Sequence, residues 1–155
     1  MNGQKLEALR DRIFAALESG AVRDARRSIE KLRRYEPVEA ASLLTALCIE
    51  ERDAKGALKA WQECRACAPH EPYTIFLRAR IHLLMGERRA ALRVLTPLFD
   101  APMSAEVAEK VYNLAGQCAR FLGAADKAVG FYARARDAAQ NLALRALNAS
   151  NVLFN

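Results

Sequence analysis

Four times in this chain a small residue is followed four positions later by a larger one and three after that by another apolar or small one. The sets are Ala25, Ile29, Leu32; Ala57, Trp61, Cys64; Ala91, Leu95, Leu98; and Ala128, Tyr132, Ala135. Their leading alanines recur at intervals of 32, 34 and 37 residues. Offsets of four and three put each set on one stripe of a helix. A period near 34 residues implies pairs of helices, none able to bury its apolar face alone, so that each must stack on a neighbour. The expected fold class is all-α: a solenoid of antiparallel helix pairs.

The helices can be placed in order. Leu6, Leu9, Ile13, Phe14 and Leu17 recur at helical spacing as far as Ser19-Gly20, where a glycine suits the left-handed residue that ends a helix. A second helix from about Val22 to Tyr35 turns Ala25, Ile29 and Leu32 inward and stops before Pro37, since a proline restricts the residue preceding it. Leu43, Leu44, Leu47 and Cys48 make the next inner face; Ala57, Leu58, Trp61, Cys64 and Ala68 make the outer helix after it. The third pair follows Pro69 and Pro72 and turns at Gly86. Its outer helix should kink or end near Thr96, because Pro97 removes an internal hydrogen bond. Ser104 reads as the cap of the fourth inner helix, Gly123 as its turn, and Lys127 to Ala139 as the last outer helix. Approximate repeats are 5–36, 37–70, 71–103 and 104–140. A capping helix, 141–155, should follow, its stripe of Asn141, Arg145, Asn148, Asn151 and Asn155 covering the end of the stack.

Charge is distributed unevenly. The formal net charge of +6 divides into +1 over residues 1–77 and +5 over residues 78–155. Most basic residues fall on outer helices, as in Arg26-Arg27, Arg33-Arg34 and Arg88-Arg89, which reads as solvated helix faces. Nucleic-acid binding would need a basic stripe interleaved with stacking aromatics, and that interleaving is missing. No apolar run approaches the roughly 20 residues of a membrane span, and the charged N-terminus MNGQKLEALRDR is unlike a signal peptide; the expected location is cytoplasmic.

These residues resemble the tetratricopeptide repeat family over nearly the whole chain. The most typical stretches are LTALCIEERDAKGALKAWQECRACAP and NLAGQCARFLGAADKAVGFYARARDAA, with Leu114, Gly116, Gly123, Ala128, Tyr132 and Ala135 at the family's small and large sites. Gln140 stands where a closing proline is usual, Ile13 and Thr45 replace the small residue of the first helix, and Arg52 takes the place of the turn glycine. The resemblance implies a right-handed α-solenoid that holds an extended peptide or partner helix in a concave groove, without catalysis of its own. The groove stripe, which also carries Leu17 and Ala46, would offer a ligand Arg10 and Phe14 from the first unit, Ser42 from the second, and Tyr73, Phe76 and Arg80 from the third. The fourth would supply Lys110, Asn113, Gln117 and Arg120. Aromatic anchors there can bury ligand surface at little entropic cost, while Arg80, Lys110 and Arg120 suit carboxylates, so a partner with an acidic end would fit. Phe14, Tyr73 and Phe76 could equally fill space between adjacent inner helices. The carboxylate clamp of some family members is missing, its sites being Glu7, Asp11, Leu43, Tyr73 and Leu77.

No residue set argues for an active site, a cofactor or a metal. Cys64-Arg65-Ala66-Cys67 with His70 has ligand-like spacing, but Cys64 and Cys67 read as small packing residues and no second pair is near. His82 reads as a partly buried, hydrogen-bonded side chain rather than a catalytic base. The leading expectation is a non-catalytic protein-interaction module that binds a partner's peptide or helix. Two alternatives stand beside it. One is the N-terminal repeat region of a larger enzyme such as a bacterial O-linked glycosyltransferase-like protein, suggested by Ser150-Asn151-Val152-Leu153-Phe154; the other is a small secretion chaperone.

Overall fold

The computed structural model describes the backbone of residues 2–154 and the side chains of residues 2–147. Eight α-helices follow one another: α1 (Gly3–Ser19), α2 (Val22–Arg33), α3 (Pro37–Glu50), α4 (Ala54–Cys67), α5 (Pro72–Leu84), α6 (Arg88–Leu95), α7 (Ala105–Phe121) and α8 (Ala125–Phe154). A 3-10 turn, Thr96–Asp100, separates α6 from α7. No strand occurs among the described residues. The chain divides after Leu77, inside α5, into two compact units.

The turns within successive helix pairs are the same device repeated. Gly20, Gly86 and Gly123 have φ of 76°, 80° and 79°, and Arg52, at the corresponding place, has φ of 59°. At each turn the amide after the left-handed residue reaches back to a carbonyl five residues earlier: Ala21 to Ala16, Asp53 to Cys48, Glu87 to His82 and Ala124 to Ala119, all at 2.9 Å. These bonds satisfy carbonyls that a helix end would otherwise leave unpaired. Side chains cap the other ends. Asn2 accepts from the Lys5 amide, Asp53 from Gly56 and Ser104 from Val107. Gly56 is itself required by its cap, since a Cβ there would sit 2.1 Å from Asp53 Oδ2.

In the first unit Leu9 and Ile13 of α1 pack with Ala25, Ile29 and Leu32 of α2 and with Ala40 and Leu47 of α3. Burying a leucine or isoleucine of this kind contributes about 1.5–3 kcal/mol. Trp61 of α4 is buried and donates from Nε1 to the Thr74 carbonyl of α5 at 2.8 Å, so its one polar group is not stranded. In the second unit Val111, Leu114, Ala115, Cys118 and Ala119 form the buried face of α7, and Ala128, Ala135 and Ala138 that of α8. Gly116 lets Tyr132 lie flat on α7: an added Cβ would meet the ring at 2.8 Å. Phe99 joins this unit by stacking on Tyr112 and tilting against Phe131, with centroids 5.6 and 4.9 Å apart.

Three details depart from the sequence reading. The last outer helix and the capping helix are one: α8 runs unbroken through Gln140, because neither glycine nor proline interrupts DAAQNLALRALNAS and its residues are good helix formers. Of the polar stripe expected there, Asn148, Asn151 and Asn155 lie outside the described side chains. Cys67, read as a packing residue, is exposed, because it is the last residue of α4 and the helix has left the core by then. Leu58 is also exposed. Pro97 acts as expected: α6 stops at Leu95 and tightens into the 3-10 turn, with Thr96 Oγ1 donating to the Leu92 carbonyl.

Candidate functional site

The ten groove residues divide between the units, five in each, and they are described unit by unit. In the first unit Arg10 is occupied: its guanidinium donates through Nε and NH2 to both oxygens of Glu39 at 2.9 Å, tying α1 to α3, and through NH1 to Glu7. Those bonds, the one to Glu39 first, push its pKa above the ordinary arginine value. Ser42 turns into the packing, its hydroxyl donating to the Val38 carbonyl and lying 3.6 Å from Cys64 Sγ. Phe76 is buried and stacks on the half-buried Tyr73 at 5.7 Å. Phe14 differs from these four. It is 52% exposed, a large apolar ring open to solvent.

One turn after Phe14 on α1, Leu17 lines a cleft of about 410 Å³. Ala16, Val22, Leu43, Ala46 and Leu47 complete its apolar wall, and Glu50 and Glu51 stand at its rim. The cleft was not foreseen, although two of its residues, Leu17 and Ala46, lie on the stripe expected to face a ligand. The spacing gives a stripe's direction but not the gap left where small side chains meet.

In the second unit Arg80 is half-buried, Gln117 is partly buried, and Lys110, Asn113 and Arg120 are exposed along α7. Arg120 has a neighbour no spacing predicted. Its guanidinium carbon lies 5.2 Å from the centroid of Phe121, and that of Arg88, from the start of α6, lies 4.9 Å from the same ring. Arg134 sits likewise over Tyr112 at 5.5 Å. In the first unit Arg65 lies over Trp61 at 5.8 Å, while Arg10, Arg26 and Arg33 pair with the carboxylates of Glu39, Glu51 and Glu63.

The remaining reactive groups serve packing. Cys48, Cys64 and Cys118 are buried, and burial pushes each thiol's pKa up, keeping it neutral and unreactive. His82 is partly buried and its Nδ1 is 2.7 Å from Glu87 Oε2. No group of three potential metal ligands occurs among the described residues. Nor is any described helix long and apolar enough to cross a membrane.

No protein-family model matches the sequence, and no curated protein matches it. Solved structures do. A thermophilic TPR protein of Thermus thermophilus, TTC0263, is similar at 23% identity with a TM-score of 0.72, over 98% of this chain and 84% of its own. The fold is that of a tetratricopeptide repeat. MamA, at 18% identity, superposes with a TM-score of 0.62 over 89% of this chain and 80% of its own. The tetratricopeptide fold explains why Gly116 faces Tyr132 and why Ala25, Ala57 and Ala91 are fully buried: these are the small positions at which paired helices approach most closely. The segment Ser150 to Phe154, which suggested a larger enzyme, lies outside the described side chains.

Proposed function

We propose that the chain is a non-catalytic protein-interaction module, and that the inner-helix face of its first unit takes an apolar side chain of a partner's peptide or helix. The observation that carries this reading is the exposed Phe14 beside the apolar cleft of Leu17, Leu43 and Ala46. A ring held on a helix loses little entropy on binding, and an adjacent apolar recess gives an incoming side chain somewhere to be desolvated. Arg10, fixed on Glu39, positions α1 against α3 and so shapes the recess rather than contacting the ligand.

An affinity pull-down from native cell extract with the intact chain tests the reading. Phe14→Ala should weaken capture of the partner about tenfold or more, and Ala46→Arg, which fills the cleft, should abolish it, both with unchanged helicity by circular dichroism. Capture by the double variant equal to that by the unaltered chain refutes the groove.

A further inference from the structure

The second unit carries a surface feature that the cleft of the first unit does not use, although Arg120 was expected on the groove stripe. Phe121, the last residue of α7, is 45% exposed, and Leu122 directly after it is 37% exposed. Arg88 and Arg120 reach the Phe121 ring from two different helices, their guanidinium carbons 4.9 and 5.2 Å from its centroid. Among the described residues neither arginine is in an ion pair. Their unit holds an excess of five positive charges.

A guanidinium lying against an aromatic ring has one face desolvated and its side-chain freedom reduced, while its N–H groups still point outward in their own plane. Those groups match a carboxylate, which an arginine can hold through two parallel bonds. Two such guanidiniums on one ring form a pre-ordered fork for neighbouring carboxylates, so less entropy is lost when a ligand arrives. A single-stranded nucleic acid would call for several stacking rings along a basic stripe, whereas here two guanidiniums share one ring. We infer that Arg88, Arg120 and Phe121 form a docking site for an acidic peptide segment, whose carboxylates pair with the two arginines while an apolar residue between them covers Phe121 and Leu122.

The site shares no residue with the cleft lined by Leu17, and each is tested by its own variants. The probe is a fluorescein-labelled peptide of alternating Glu and Leu, followed by anisotropy against the full chain. The control peptide has Gln in place of every Glu. The Glu peptide should bind and the Gln peptide should not. Arg88→Ala and Arg120→Ala should each weaken binding about tenfold, and the corresponding lysine variants should recover only part of it, since lysine keeps the charge without the planar fork. Arg134→Ala removes the same charge from the same unit at another ring and should leave binding unchanged. Circular dichroism checks that every variant remains helical. The inference is overturned if the Gln peptide binds equally well or if no binding of the Glu peptide is detected. It is also overturned if Arg134→Ala costs as much as Arg88→Ala, or if single-stranded oligo-thymidine binds more tightly than the peptide.

Discussion

Arg52 occupies a conformation that its three counterparts reach as glycine. A side chain at φ of 59° brings its Cβ close to the neighbouring carbonyl, a cost that glycine avoids. The turn nevertheless keeps its bond from Asp53 N to Cys48 O, so the packing of α3 and α4 imposes the geometry on an unfavourable residue. Arg52→Gly should therefore raise stability, by about 0.5–1 kcal/mol once the larger entropy of glycine in the unfolded chain is subtracted. Chemical denaturation of both proteins gives the difference directly, and a loss of stability would mean that the Arg52 side chain makes a compensating contact.

At the scale of helices, the small-large-apolar recurrence falls on α2, α4, α6 with its 3-10 turn, and α8, because close helix contact leaves little choice of residue. Ala25, Ala57, Ala91, Cys64 and Cys118 are buried for that reason. Where a helix ends without a breaker, spacing says less. Gln140 takes the place of a closing proline, so nothing stops the helix where a repeat boundary was expected, and α8 is 30 residues long in all. Gln140→Pro tests the continuity. In an unbroken helix it removes a backbone bond and costs about 3 kcal/mol, so ellipticity and thermal midpoint should both fall, whereas at a natural break it would change little. The groove stripe was legible only in part. Of the stripe's residues Phe14 is exposed and Leu17 and Ala46 line a cleft, while Ser42 and Phe76 turn into the packing, and periodicity cannot tell a side chain at a helix seam from one a few degrees beyond it. The Phe121 site was missed for a different reason: it lies where α7 ends, and stripes are read along helices, not across their tips.

For the molecule as a whole, two compact units imply that stability is a sum over neighbours rather than a property of one core. Ile13 is fully buried in the first unit and Val111 in the second. Ile13→Ala should cost about 2–4 kcal/mol, and native-state hydrogen exchange should show the added opening mainly in residues before Leu77. Val111→Ala should do the same mainly after it. Equal loss of protection along the whole chain in both variants would show that the units open together.

The four turns share more than a backbone shape. Gly20, Arg52, Gly86 and Gly123 each precede a packing alanine, at Ala25, Ala57, Ala91 and Ala128, by the same five residues. A stretch of gene cut between any two of these points begins and ends in the same phase of the helix, whatever its length. Whole units can therefore be duplicated, lost or exchanged there without turning a downstream buried stripe toward water, the unequal intervals being taken up between one junction and the next.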